Sequence, residues 1–133
     1  MSTLFTKIVN GEIPSHKVAE DNSFLAFLDI NPLAIGHTLV IPKKEVDYIF
    51  DLDDDLYTDL HHFCRKVALG LRKAIPCLRI GTAVVGLDVP HVHVHLIPLN
   101  SMDDMNFMKP KLRFSDEEFA EIADKIRKEV DHP

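Results

Sequence analysis

The chain has 133 residues, 46% of them hydrophobic and 27% charged, with a formal net charge of −6 at pH 7. That length fits one domain, residues 1–133, with room for a core that needs no covalent staples. The charge leaves no excess of Lys and Arg to neutralise a phosphate backbone, which argues against general nucleic-acid binding, and no apolar run approaches the ~20 residues of a membrane span.

The first residues, Met1 to Phe5, lack the charged and apolar regions of a signal peptide, so a cytoplasmic protein is expected. Thr3 to Val9 reads as a short helical turn, with Leu4, Phe5 and Ile8 on one side. Asn10 to Pro14 is turn chemistry. Lys17–Glu20 and Ser23–Asp29 read as a hairpin turning at Asp21-Asn22, with Leu25, Phe27 and Asp29 on one face. Asn31-Pro32 breaks the strand and Gly36 marks a second turn. His37 to Pro42 is a further strand, stopped by a proline that cannot donate to a ladder.

From Asp53 to Ile75 the period changes. Leu56, Leu60, Phe63, Val67, Leu71 and Ala74 form one helical stripe, and the acids Asp51 to Asp55 suit its N-terminus. Gly70 inside it costs about 1 kcal/mol relative to Ala, which predicts close packing there. His61 and His62 are adjacent, point to different helix faces, and read as solvent or packing residues. Cys64 and Cys77 form no C-x-x-C pair and read as plain thiols in a reducing compartment. Leu78–Val85 is a strand, Gly86–Pro90 a short connection, and His91–Pro98 a second strand. Asn100–Phe114 reads as a loop, whose Lys109, Lys111 and Arg113 read either as solvated or as reaching an active site, that of this chain or of a partner. Ser115 and Glu118 fit a capping box. It opens a last helix with the stripe Phe119, Ile122, Ala123, Ile126 and Val130. The sum is α+β: a mainly antiparallel sheet, one long helix and a C-terminal helix, with the helices on one side.

The run His91-Val92-His93-Val94-His95-Leu96 alternates with period two, which places three imidazoles on one strand face. Nothing structural asks for such a row. It could be three unrelated histidines. It could be a metal site, although Zn–N bonds are ~2.0–2.1 Å while first and third same-face positions lie ~13 Å apart, so one ion would take two of them plus other ligands. It could be an imidazole relay for phosphoryl or nucleotidyl transfer, since neutral imidazole is a nucleophile near neutral pH and protonated imidazole a proton donor.

The His91-x-His93-x-His95 pattern resembles the histidine triad (HIT) family. So do Leu4 through Pro14, Leu25 through Pro32, Gly36 through Lys43, and the approach Gly86-x-x-Val89-Pro90-His91. The resemblance implies a HIT-like fold and reaction at the α-phosphate of a purine nucleotide derivative, such as a nucleoside phosphoramidate, through a nucleotidyl-histidine intermediate. It implies His93 as nucleophile, His95 as proton donor, His91 as the residue that orients His93 through its carbonyl, and His37 as a fourth histidine beside them. It implies Asp29 for the ribose hydroxyls and Leu4, Phe5, Ile8, Phe27 and Ile30 for the base. It further implies a homodimer and no cofactor.

The chain departs from the family just before the triad. Leu87 and Asp88 stand where Gln and Ser or Thr are common, and with Val89 they form the approach to the phosphate. Asp88 is expected to favour a leaving group bearing an amine cation over one bearing a second phosphate. Some members bind zinc through an N-terminal C-x-x-C. Thr3 and Thr6 occupy those positions here, so no zinc of that kind is expected. A nucleotide-binding scaffold with incidental turnover and a metal enzyme using two of the triad histidines are the alternatives.

Overall fold

The computed structural model describes residues 2–131. Met1, His132 and Pro133, the ends of the expected 1–133 domain, lie outside the described residues. The described residues form helix α1 (Leu4–Val9) and strands β1 (Lys17–Glu20), β2 (Phe24–Leu28) and β3 (Thr38–Pro42). Helix α2 (Asp54–Ala74), strands β4 (Arg79–Ala83) and β5 (Val94–Leu99) and helix α3 (Asp116–Asp131) follow. The strands make one sheet in the order β1-β2-β3-β5-β4, with every neighbouring pair antiparallel. The α+β expectation holds, with the antiparallel sheet and the two long helices where the periodicities placed them. Among the described residues no helix is long and apolar enough to cross a membrane.

Alternation along the central strands gives the sheet two different faces. Phe24, Ala26, Leu28, Val40, Val94 and Leu96 point to α2 and α3 and build the main core with Leu60, Phe63, Val67, Leu71 and Ile126. Each such large side chain, fully buried, contributes roughly 1.5–3 kcal/mol. Leu25, Phe27, Leu39 and Ile41 point the other way and meet Phe5 and Ile8 of α1. The helices are therefore not all on one side: α1 covers the opposite face. Its six residues cannot hold a helix alone, and the apolar pair Phe5 and Ile8 fixes it to the sheet.

The long helices start and meet as their sequences direct. The Asp53 side chain accepts the Leu56 N–H (2.8 Å) and caps α2. At α3, Ser115 and Glu118 each accept the other's backbone N–H, at 3.1 and 2.8 Å. Gly70 packs tightly against α3. A Cβ there would lie 2.5 Å from Val130 Cγ2 and 2.8 Å from its backbone nitrogen.

One element differs from its sequence reading. The ladder of β5 begins at Val94, so His91 to His93 precede the strand. Pro90 offers no N–H, the His91 N–H turns back to the Val89 carbonyl (2.8 Å), and the Val92 N–H goes to Val46 (2.7 Å). The alternation of faces nevertheless runs through. Val92 joins the main core, while His91 and His93 pack edge-on against Phe5 on the other side.

Candidate active site

The α1 side of the sheet holds a cavity of about 200 Å³. Phe5, Ile8, Phe27 and Leu39 give it apolar lining, beside which Asp29, Asn31, Asp88, Val89, His93 and His95 also line it. Of the residues expected to bind substrate, Leu4, Phe5, Ile8, Phe27, Ile30, Asp29, Asp88 and Val89 line it. Leu87 does not. Its side chain is 92% exposed and lies instead by a neighbouring depression with Tyr48, Phe50 and Tyr57. Gly86, at φ +72°, turns the chain so that Asp88 faces the cavity wall and Leu87 faces away.

The four expected histidines are all buried, yet they are not equivalent. Their partners fix their tautomers. His93 Nδ1–H donates to the His91 carbonyl (2.7 Å), which leaves the Nε2 lone pair free. That Nε2 is buried and has no hydrogen-bond partner. The Leu33 N–H donates to His37 Nδ1 (3.0 Å), so the His37 proton must sit on Nε2. His37 Nε2–H then donates to His95 Nδ1 (2.9 Å), and His95 in turn carries its proton on Nε2. A backbone amide four residues before His37 thus determines which nitrogen of His95 can give up a proton. Burial, reinforced by the neighbouring imidazole, pushes His37 down to about 3 and His95 down to about 4. Both rings are neutral at pH 7.

His91 does not reach the cavity. Its Nε2–H donates to the Pro42 carbonyl (2.7 Å), and its Nδ1 accepts from the Thr3 hydroxyl (2.9 Å). The Thr6 hydroxyl donates to Glu45 (2.7 Å), which also takes the Thr3 N–H (2.8 Å). Those hydrogen bonds, the Thr3 amide first, hold the Glu45 carboxyl below its usual range. Thr3 caps α1 as well, accepting the Thr6 N–H (3.1 Å). The first triad histidine is therefore tied to the helix whose Phe5 lies 5.0 Å from the His93 ring, centroid to centroid.

Two carboxylates reach into the site. Asp29 accepts the Asn31 N–H (2.8 Å), and burial raises its carboxyl above the usual range. Asp88 Oδ1 stands 3.2 Å from His93 Nε2. Burial works to raise Asp88, but the Val89 amide and the adjacent imidazoles outweigh it and hold the carboxyl below its usual range.

A HIT domain family model matches residues 10–102. The chain belongs to the HIT family. An uncharacterized HIT-like protein of Borreliella burgdorferi is 37% identical over 131 residues, which covers 92% of this chain and 94% of that one. An adenosine 5′-monophosphoramidase of Schizosaccharomyces pombe is 34% identical over 132 residues, 98% and 99% of the two chains. A crystal structure of a Hit-like protein from Bartonella henselae superposes with a TM-score of 0.84 at 33% identity, covering 96% of both chains.

Within this HIT chain the one group of potential metal ligands among the described residues is Asp29, His37 and His95. Its donor set does not suit an ion. His37 would have to coordinate through Nε2, and the Leu33 amide at Nδ1 keeps the proton on Nε2. The group also uses only one residue of the triad. Thr3 and Thr6, at the C-x-x-C positions of zinc-binding HIT members, spend their hydroxyl protons on His91 and Glu45.

Several residues at the site have no local sequence signal. Leu39 joins the wall because it pairs with Phe27 across β2 and β3. Ile13, Pro14 and Ser15 enter from the turn after α1, and the Ser15 hydroxyl is buried without a partner. Phe107, in the Asn100–Phe114 loop, packs edge-on against His95 with centroids 4.8 Å apart. The Leu112 N–H ties that loop to the Pro32 carbonyl (2.9 Å). Lys111 donates to the Phe107 and Lys109 carbonyls, and its positive field reaches Asp29 and His37.

Proposed function

We propose that the protein hydrolyses nucleoside 5′-phosphoramidates of the purine series at the P–N bond, in two displacements through a nucleotidyl-histidine on His93. The observation that carries this reading is the unpartnered His93 Nε2, buried in the lining of a cavity that also has apolar lining from Phe5, Ile8 and Phe27. A buried polar atom without a partner is costly unless a ligand completes it. The Ser15 hydroxyl, also unpartnered, lines the same cavity.

The steps follow from the tautomers. The base lies between Phe5, Ile8 and Phe27, and Asp29 accepts hydrogen bonds from the ribose diol. The His93 Nε2 lone pair attacks phosphorus. The P–N bond breaks, its electron pair stays on the amine nitrogen, and the amine leaves with a proton drawn from solvent while the neutral His95 donates an Nε2–H hydrogen bond to the phosphoryl group. Water then attacks phosphorus and releases a proton to solvent, while the electron pair of the phosphorus–Nε2 bond returns to His93. His37 holds His95 in its Nε2–H tautomer throughout, and the His91 carbonyl keeps the His93 proton on Nδ1. Relatives with 5′-monophosphoramidase in their names support the substrate class.

The test is direct. Mixing wild-type protein with adenosine 5′-phosphoramidate and quenching in alkali, where phosphohistidine survives, should trap one nucleotidyl group on a peptide containing His93. His93→Ala should lower kcat by about a thousandfold or more while AMP still binds. Tight AMP binding by the wild type with no turnover of any phosphoramidate would favour the scaffold reading.

We further propose that the chain works as a homodimer in the cytoplasm. β4 is an edge strand. Beside it Tyr48, Phe50, Val85 and Leu87 form an exposed apolar patch around one depression. Cys64 and Cys77 are free thiols, as a reducing compartment would keep them.

A further inference from the structure

We infer that Asp88 makes the site selective for a leaving amine that itself carries a second positive charge, such as a diamine or a basic amino acid linked through one nitrogen to phosphorus. The inference rests on the phosphoramidate reading and narrows its substrate class.

The charges of the cavity are one-sided. Its lining holds the carboxylates of Asp29 and Asp88 and, among the described residues, no Lys or Arg. Lys111, whose field reaches Asp29, is engaged by the carbonyls of Phe107 and Lys109. His37 and His95, pushed down to about 3 and about 4, bring no compensating charge at pH 7. An α-phosphate with one negative charge already enters an unfavourable field. Each further phosphate on the leaving group adds to that repulsion, and a cation on it relieves the repulsion.

The position of Asp88 makes it the residue that discriminates. Its Oδ1 lies 3.2 Å from the atom that must bond to phosphorus, so the carboxylate stands within the space an incoming phosphoryl group needs. With 71% of its side chain exposed, Asp88 is free to swing outward when the phosphoryl group enters. It then sits at the rim with the solvent-facing Leu87, beside the path of the departing amine. An ammonium a few bonds beyond the scissile nitrogen meets a carboxylate there. A carboxylate or phosphate at the same place meets a like charge. Asp29 does not share this task, because its carboxylate is held by the Asn31 amide.

The experiment compares kcat/KM for four substrates: adenosine 5′-phosphoramidates of butylamine, of its analogue ending in an ammonium and of its analogue ending in a carboxylate, and a diadenosine polyphosphate. For the wild type, the ammonium-ended compound should lead the neutral one by about fivefold. The carboxylate-ended one should trail by a similar factor, the size expected for a partly exposed charge pair. The polyphosphate should be slowest. High salt should compress the series. Asp88→Asn and Asp88→Ser should each bring the three phosphoramidates to within about twofold of one another. Cleavage of all three at equal rates by the wild type, or an unchanged spread in both variants, overturns the role of Asp88 and leaves the phosphoramidate reading standing. No cleavage of any phosphoramidate overturns both.

Discussion

His37 governs the proton inventory of the site without touching the cavity. It takes one hydrogen bond from the Leu33 amide and passes one to His95, so the pair has a single low-energy arrangement of protons. The same burial makes the fold sensitive to acid. An unfolded imidazole titrates near 6.5, whereas in the fold His95 titrates at about 4 and His37 at about 3. Between those values the unfolded chain binds more protons than the native one, and stability therefore rises with pH there. It is complete above 6.5 and is lost as pH falls toward 4. The ceiling is about 1.4 kcal/mol per pH unit for each imidazole. Thermal melts should show the midpoint falling steadily from about pH 6.5 to about pH 5; a flat profile across that interval would contradict the buried neutral pair. The residue types of this relay were legible in the chain. The proton positions were not, because the Leu33 amide that sets them meets His37 only after Asn31 to Gly36 has turned.

Among the elements, α2 and α3 came closest to their sequence readings. Each carries its own cap and its own apolar stripe, and both are encoded within a few residues. Gly70 was legible too, as a helix defect that needs a packing reason. Replacing it with Ala gains about 1 kcal/mol of helix propensity. The new methyl group would stand 2.8 Å from the Val130 nitrogen, and backbone cannot step aside as a flexible side chain can. Gly70→Ala should therefore be destabilising by about 1–3 kcal/mol net, read as a lower midpoint in urea at an unchanged m-value. The element that misled was the histidine strand. Period two marks an extended chain with two faces, and His91 to Leu96 has that. It does not mark ladder pairing, which ends before His93 because the neighbouring carbonyls there belong to Pro42 and Val46, far away in sequence.

Across the whole molecule, β4 is one of the sheet's two edges, and exposed apolar side chains gather beside it. Phe50 is 68% exposed and Tyr48 55%. A contiguous apolar patch of this kind on a charged surface marks an interaction site. Sedimentation equilibrium should give a dimer for the wild type, and Phe50→Asp should shift it toward monomer with the melting profile of the isolated chain retained. A monomeric wild type at working concentrations would remove this face from the assembly.

What could be read from the chain alone, apart from the wall residues that the HIT resemblance supplied, was everything carried by local periodicity and residue chemistry: the two capped helices, the alternating strands, the α+β class and the histidine motif. Those features depend on residues one to four positions apart, and the chain states them directly. Three matters depended on the fold. The side of the sheet that α1 covers follows from Phe5 and Ile8 meeting β2 and β3. The withdrawal of Leu87 from the cavity follows from the turn at Gly86. The division of protons among His37, His91, His93 and His95 follows from backbone groups of Leu33, Pro42 and His91. A hydrogen bond between distant segments has no signature in sequence, and in this site such bonds decide which imidazole nitrogen has a free lone pair.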